Sequence, residues 1–264
     1  MPTVQTDTNC CRYVAEDIAA GYRIDHLQKQ IVQGFSHTFQ SGVVYVVMGR
    51  NGCGKSTLLK ALTGELDASS GHVAFTCSAG RHALELEYIP QNYRQALFPW
   101  KTVRGNVRPW RSTASGTNAG ALDIDEALAA VGLESLGREY VFNLSGGQQQ
   151  LVLIARCIVS AAQVLVLDEP LSALDVMRRS RISRFLRDYW KQSGKIVLCA
   201  MHEPDEVARL ADEVLIFDGP PLTLARTVER RVDNGDGQAL AEFRDTLVRS
   251  IRELTTGGVH EREA

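Results

Sequence analysis

A glycine-rich loop at residues 49–56 constrains this 264-residue chain more than any other stretch. The loop reads GRNGCGKS and fits the phosphate-binding pattern G-x-x-x-x-G-K-[S/T] at every specified position. An apolar, β-branched run at 43–48 precedes it, and an apolar helical pattern that ends near Gly64 follows it. A strand that turns through glycines into a helix N-terminus lets backbone N–H groups surround a phosphate. We therefore expect an α/β fold that binds a nucleotide.

Four polar side chains near this predicted strand and its neighbour indicate hydrolysis. Lys55 supplies a positive charge for the β- and γ-phosphates, and the Ser56 hydroxyl can bind Mg²⁺. Asp168 and Glu169 follow the apolar run 164–167, at the edge of a parallel sheet where ligands bind. We expect Asp168 to hold Mg²⁺, directly or through water, and Glu169 to orient and deprotonate the attacking water.

The composition limits the class of protein. A net charge of −2 and a pI near 6.3 offer no electrostatic argument for nucleic-acid binding. No stretch approaches the roughly 18 apolar residues of a membrane span, so other chains would have to anchor this one at a membrane. The six cysteines lack the paired spacing of a zinc site. We expect a soluble chain with free thiols in a reducing cytoplasm.

Short apolar runs alternate with helical patterns along the chain, as in a parallel α/β sheet. The further strand candidates lie at residues 13–18, 73–75, 84–89, 164–167, 196–200 and 214–217. Residues 21–23 are interpreted as a turn. Residues 92–142 break the alternation and predict a mostly helical insertion. The apolar stripe of the last helix, between Leu240 and Leu254, is expected to pack on the core or, alternatively, to bind a partner.

The run LSGGQQQ at residues 144–150 adds a second anion site. Ser145 can cap the helix that follows, and the two glycines leave backbone N–H groups accessible at its positive end. This run resembles the signature of ATP-binding cassette (ABC) ATPases. In that family the anion is the γ-phosphate of an ATP held by a second subunit. Leu151 departs from the common pattern, in which many relatives have arginine.

The resemblance covers residues 10–228, with every nucleotide motif in order. It implies an α/β fold: a P-loop NTPase core of the ABC type with a mostly parallel sheet, an antiparallel β subdomain and a helical subdomain. The expected limits are 1–91 for the N-terminal part of the core, 92–160 for the helical subdomain, 161–228 for the C-terminal part of the core and 229–264 for a helical tail.

The resemblance also assigns residues that are ambiguous alone. Gln91 would contact Mg²⁺ or the lytic water, although a lone glutamine is usually solvated. His202 would contact the γ-phosphate, although a solitary histidine is often structural. Tyr22 would stack on adenine, with Tyr13 as the weaker candidate. The implied nucleotide-binding set is Tyr22, Gly49, Arg50, Asn51, Gly52, Cys53, Gly54, Lys55, Ser56, Thr57, Ser145, Gly146, Gly147 and Gln148. The implied metal ligands are Ser56, Gln91 and Asp168; the catalytic residues are Glu169, His202 and Gln91; and the dimer-interface residues are Ser172 and Asp175.

The implied cofactors are ATP and Mg²⁺, and the implied partners are a second ATPase subunit, transmembrane permease subunits and a solute-binding protein, with no nucleic acid. Such a subunit would be cytoplasmic and peripheral on the inner face of the cell membrane. The stretch LFPWKTV at 97–103 resembles importers of the nitrate, sulfonate and taurine group. An exporter or lipid transporter subunit stays open as an alternative. A soluble ABC ATPase that acts on nucleic acid or ribosomes is the less favoured alternative. DNA-repair members of the family insert a long coiled coil between the two motifs, but only 168 − 55 = 113 positions separate Lys55 from Asp168. Ribosome-associated members usually carry two cassettes, and this sequence contains one.

Overall fold

A computed structural model describes residues 11–24, 27–78, 84–108, 122–230 and 238–257. The strands are β1 Cys11–Ile24, β2 Leu27–Gln40, β3 Val44–Met48, β4 Ser70–Cys77, β5 Leu86–Ile89, β6 Val164–Asp168, β7 Ile196–Met201, β8 Glu213–Asp218 and β9 Thr223–Glu229. The α-helices are α1 Lys55–Thr63, α2 Val103–Val107, α3 Ile124–Val131, α4 Gly146–Val159, α5 Val176–Ser193, α6 Pro204–Leu210 and α7 Gln238–Gly257.

The central sheet has the order β5-β6-β7-β3-β8-β9, and all neighbours are parallel except β8 and β9. Every residue of β3, β6 and β7 is buried, because helices cover both faces of a parallel sheet. Met48 pairs with Met201, and Asp168 pairs with Ala200. The carboxyl ends of β3, β6 and β7 therefore meet at one edge, as the strand pattern predicts.

A second, antiparallel sheet has the order β2-β1-β4. The sequence interpretation of residues 21–23 as a turn was wrong, because they lie inside β1 and pair with residues 28–30 of β2. A Cβ on Gly21 would stand 2.1 Å from the Lys29 carbonyl oxygen. The glycine therefore permits a close approach of two strands, rather than a turn.

The expectation that all thiols are free was also wrong. Cys11 and Cys77 are cross-strand partners of β1 and β4, and they form a disulfide. Residues 66 positions apart are brought together by sheet register, which spacing along the chain cannot reveal. Cys53, Cys157 and Cys199 are free and buried.

The insertion after β5 is helical, as predicted, where the structure describes it. It contains α2, α3 and short 3₁₀ turns at 93–96, 134–136 and 141–143, and α4 follows it. Asn106 is buried and bonds to the backbone of Phe98, Lys101 and Thr102, while Arg156 of α4 donates to the carbonyls of Asn106 and Ala96. The polar stretch at 112–120 lies outside the described residues, and the limits 92–160 stay a prediction.

Helix α7 packs against α6, β8 and β9, so its apolar stripe faces the core as expected. Phe243 and Leu247 are buried, and Leu240, Ile251 and Leu254 are partly buried against the same cluster. Within the described part of the chain, no helix combines the length and apolar character needed to cross a membrane.

Candidate functional site

The loop between β3 and α1 needs glycine at three positions, for backbone conformation or for close packing. Gly52 and Gly54 have φ of 78° and 119°, which favour glycine, and Gly54 is the N-cap of α1. A Cβ on Gly49 would stand 2.9 Å from the Phe217 carbonyl oxygen. The Cys53 thiol is buried, and burial raises its pKa. Arg50 and Asn51 are exposed at the tip of the loop.

Lys55 lies at the start of α1 and folds over its own loop. Its Nζ donates to the carbonyl oxygens of Gly49, at 2.9 Å, and Arg50, at 3.1 Å. The side chain is buried, so the ammonium is held at the centre of the loop rather than in solvent. An anion that enters the loop would meet this charge together with the N-terminus of α1.

Asp168 ends β6 and faces α1. Its carboxylate lies near the Ser56 hydroxyl, and the residue is 3% exposed. Burial raises the pKa of Asp168, and the Ser56 hydroxyl opposes this shift. The structure thus places a hydroxyl and a carboxylate side by side at the edge of the sheet, as the sequence predicts. Two hard oxygen donors of this kind suit Mg²⁺.

Glu169 follows directly and has φ of 52°, an uncommon conformation for a residue with a side chain. Its N–H donates to the Ala200 carbonyl at 3.0 Å, which ties it to β7. Its Oε1 lies 3.2 Å from Nδ1 of His202, just beyond the end of β7. On the other side, Nε2 of His202 is 3.7 Å from Oε1 of Glu203. The sequence-predicted pair Glu169 and His202 is therefore a contact in the fold.

His202 lines two adjoining cavities. One, of about 100 Å³, is also lined by Glu169 and Ser172. The other, of about 420 Å³, is bounded by the loop at 49–51 and by Ile251 and Leu254 of α7. Among the described residues, neither cavity is lined by any of residues 145–148.

Ser145 caps α4 as the sequence predicts. Its Oγ accepts from the Gln148 N–H, and its own N–H donates to Oε1 of Gln148, which makes a reciprocal capping box. A Cβ on Gly147 would stand 3.0 Å from the Ala173 carbonyl oxygen, and one on Gly146 would stand 2.8 Å from the Tyr93 hydroxyl. Packing against a backbone carbonyl thus favours glycine at 147, whereas a side chain at 146 would displace only the Tyr93 hydroxyl.

The nucleotide motifs and their geometry agree with the comparisons made with known proteins. A family model described as "ABC transporter" matches residues 32–172, more than half of the chain. The chain belongs to the ABC transporter family. It is an ATP-binding cassette, and its activity is ATP hydrolysis.

Curated relatives cover most of the cassette. The taurine import ATP-binding protein TauB of Escherichia coli O157:H7 is 35% identical over 208 residues, 76% of this chain and 80% of the relative. The aliphatic sulfonates import ATP-binding protein SsuB of Rhodopseudomonas palustris is 33% identical over 198 residues, 75% of this chain and 69% of the relative. A bacterial ABC transporter cassette solved as a dimer is 22% identical, with a TM-score of 0.67, and covers 84% of this chain and 100% of that one. The fold prediction is thereby confirmed.

The structure exposes Tyr22 and Gln91 and buries the weaker candidate Tyr13. Oη of Tyr22 is 3.5 Å from Oγ1 of Thr57 in α1, and the Tyr22 side chain is 40% exposed. Tyr13 is not available to a ligand, because it is 1% exposed and its hydroxyl donates to the Leu62 carbonyl. Gln91 is exposed two residues after Ile89, which pairs with Leu167, so it follows β5 at the same edge as Asp168.

The loop that follows Glu169 contains the two predicted interface residues. Oγ of Ser172 donates to the Glu169 carbonyl at 3.1 Å, and Asp175 caps α5 by accepting from the Arg178 N–H. Both residues are exposed. Helix α5, which follows this loop, is tied to its neighbours by two partly buried ion pairs: Arg179 pairs with Glu206 of α6, and Arg187 pairs with Asp212 just after α6.

Sequence reasoning missed Gln150, the third glutamine of the run. It is 2% exposed and bonds to the loop after β6. One signal was available, since residue 150 shares the apolar face of α4 with Leu153 and Ile154. A polar side chain on a buried face must find hydrogen-bond partners, which marks it for attention.

Proposed function

We propose that this cassette is the ATPase subunit of an importer for small organic anions of the sulfonate class. The observation that carries the proposal is the 33–35% identity to taurine and aliphatic sulfonate import ATP-binding proteins over about three quarters of the chain. The subunit would lie on the cytoplasmic face of the membrane, held by permease subunits, and an external solute-binding protein would deliver the anion.

The donor set favours Mg²⁺ as the metal. Among the described residues, no group of three or more His, Cys, Asp or Glu side chains could hold a metal ion on its own. Mg²⁺ commonly takes only one or two protein oxygens and completes its shell with phosphates and water. Ser56 and Asp168 fit that role, with Gln91 as a further oxygen donor. When bound, the ion would neutralise charge on the β- and γ-phosphates.

Hydrolysis would use residues of the loop and of the sheet edge. Lys55 and the α1 N-terminus would bind the phosphates, and Tyr22 would stack on adenine. The Glu169 carboxylate would accept a proton from the attacking water, because a carboxylate at hydrogen-bond reach of water is a suitable base. His202 would hold the Glu169 carboxylate through Nδ1 and turn its other ring edge towards the γ-phosphate.

The signature residues would serve ATP bound to a second copy. Ser145 and the N–H groups of Gly146 and Gly147 form an anion site, yet neither cavity beside His202 is lined by them. A head-to-tail dimer would place this site against the partner's γ-phosphate, with Ser172 and Asp175 at the interface. Closure of the dimer around two ATP molecules would then be the force-generating step.

The permease would contact the surface formed by Gln91 and residues 98–100. Trp100 is 70% exposed, and the Phe98 ring contacts it edge-on with a centroid distance of 5.7 Å. A large aromatic side chain exposed to this extent is typical of a contact surface. The surface begins where β5 ends. Because β5 pairs with β6, which ends at Asp168, a displacement of this surface would be transmitted to Asp168 through one pair of neighbouring strands.

Mixed dimers test the exchange of signature residues between copies. Ser145→Arg blocks the signature and Glu169→Gln removes the proposed base, so each variant alone should be inactive. In a mixed dimer, one site pairs an intact Glu169 with an intact Ser145 from the other copy. We expect single-turnover phosphate release from the mixture, up to about one quarter of the wild-type amplitude. No release from the mixture would reject the exchange.

The solute class needs a separate experiment. Cells that lack this subunit, complemented with wild-type chain or with Glu169→Gln, would be tested for uptake of labelled taurine and of an alkanesulfonate. We expect uptake with the wild-type chain alone. Normal sulfonate uptake in the deletion strain would reject the solute assignment without affecting the ATPase assignment.

A further inference from the structure

Gln150 joins the signature helix to the loop that carries Glu169. It lies one turn and a half after Ser145 on α4, and its side chain is 2% exposed. Its Nε2 donates to the Glu169 carbonyl oxygen at 3.1 Å, and its Oε1 accepts from the Ala173 N–H at 2.8 Å. One amide group thus satisfies an acceptor and a donor of the loop at the same time.

The loop needs such support because Glu169 is in the left-handed region, with φ of 52°. A non-glycine residue stays there only when its surroundings impose it. Ala200 binds the Glu169 N–H, whereas Gln150 and the Ser172 hydroxyl bind its carbonyl oxygen. The N–H and the carbonyl of Glu169 are therefore both held, and the direction of its Cα–Cβ bond follows from this fixed backbone.

We propose that Gln150 is a positioning residue for ATP hydrolysis, which holds the Glu169 backbone so that the carboxylate points at His202 and the attacking water. The proposal rests on the proposed role of Glu169 as the base. It also gives α4 a double role: its first residue would face the partner's γ-phosphate while its second turn sets the base of its own site. Engagement of the signature would in this way be mechanically linked to the chain's own hydrolysis.

Gln150→Leu tests the proposal, since leucine keeps most of the volume and removes both hydrogen bonds. In the purified full chain we expect kcat to fall about 10- to 100-fold, because small displacements of catalytic groups have effects of that size. KM and the Kd for ATP should stay within twofold of wild type, because Gln150 does not touch the phosphate loop. A kcat within twofold of wild type, or a change confined to KM, would overturn the proposal.

Gln150→Glu supplies a readout that a merely structural role would not move. The new carboxylate still accepts from Ala173 but cannot donate to the Glu169 carbonyl unless it is protonated. Burial raises the pKa of such a carboxyl, so the missing donor returns as the pH falls. We expect the ratio of the kcat of this variant to the kcat of wild type to rise as the pH falls from 8 to 6. A ratio independent of pH would overturn the hydrogen bond to Glu169 as the cause.

Two further variants separate the possible failures. Tyr189→Phe removes a 2.7 Å hydrogen bond to the Ile158 carbonyl at the far end of α4, and its kcat should be unchanged. Glu169→Gln, assayed in parallel, reports on the base itself. Normal turnover in Glu169→Gln would reject the proposed role of Glu169. Lost turnover there, with a normal kcat in Gln150→Leu, would reject only the positioning role of Gln150.

Discussion

Nδ1 of His202 lies 3.2 Å from Oε1 of Glu169, although the two residues are separated by helix α5 and strand β7. The contact exists because β6 and β7 are parallel neighbours, so residues just past their carboxyl ends come side by side. Both side chains border the same cavity of about 100 Å³. Glu169, the proposed base, and His202, the proposed γ-phosphate contact, are therefore in direct contact. Substitution of either residue should affect the function of the other.

The first prediction concerns Glu169→Gln. We expect this variant to bind ATP and to dimerise, but its kcat should fall at least about 100-fold, because a positioned base contributes about 10²–10⁴ to a rate. Steady-state phosphate release and ATP-dependent size-exclusion chromatography measure both properties. Glu203→Gln is the matched control on the other side of the imidazole, and normal turnover in Glu169→Gln would contradict the assignment.

The second prediction concerns Ser145→Arg. The substitution removes the capping hydroxyl and places a large cation at the α4 N-terminus, so it should leave ATP binding intact and abolish hydrolysis. ATP binding by the chain is measured by equilibrium titration, and hydrolysis by phosphate release. An active variant would refute the head-to-tail dimer, because the signature would then make no contact needed for hydrolysis.

The third prediction concerns Tyr22. Stacking of a base on an aromatic side chain contributes about 1–3 kcal/mol, so Tyr22→Ala should weaken ATP binding about 5- to 150-fold. Tyr22→Phe should bind nearly as well as wild type, since the hydroxyl contact to Thr57 is long, at 3.5 Å. Titration with a fluorescent ATP analogue measures both, and equal affinities of Tyr22→Ala and wild type would exclude the stacking role.

The fourth prediction concerns Trp100→Ala. In the isolated chain, the free energy of unfolding should change by less than about 0.5 kcal/mol and the ATPase activity should be unchanged, because the side chain is largely exposed. In cells, uptake and membrane association should be lost. Leu27→Ala removes a similarly exposed apolar side chain from β2 and serves as the control. Unchanged uptake in Trp100→Ala would exclude this surface as the permease contact.

The fifth prediction concerns Glu213. Burial and the nearby Glu229 raise the pKa of this residue from 4.5 to about 7. Its Oε1 lies 3.3 Å from Nε2 of His37, whose own pKa is lowered by burial. The folded chain keeps a proton on Glu213 that the unfolded chain releases above about pH 4.5. Protonation of Glu213 therefore stabilises the folded chain, and its contribution to the free energy of unfolding is complete below that pH and declines as the pH rises to 7.

Glu213→Gln should therefore gain stability relative to wild type as the pH rises from 5 to 8. Urea unfolding at several pH values measures the difference in the free energy of unfolding between the two proteins. A difference that does not vary with pH would show that Glu213 has an ordinary pKa in the folded chain.

Much of the site could be predicted from short patterns. The loop at 49–56, the acidic pair at the end of β6 and the capped helix at Ser145 are each local features of the sequence, and the structure contains all three. Helix α1 ends at Gly64 as the pattern indicates, and the apolar stripe of α7 packs on the core. Strands β2 and β9 were missed, because strand β2 carries polar residues at many positions and β9 is largely exposed.

The sequence by itself determined the phosphate loop, the carboxylates at the sheet edge and the helix cap, because each depends on neighbours within a few positions along the chain. Only the tertiary structure decided the pairing of Cys11 with Cys77, the burial of Tyr13 with the exposure of Tyr22, and the bond from Gln150 to the Glu169 loop. Those contacts join residues far apart in sequence. Strand register and helix packing select them, and neither leaves a local pattern.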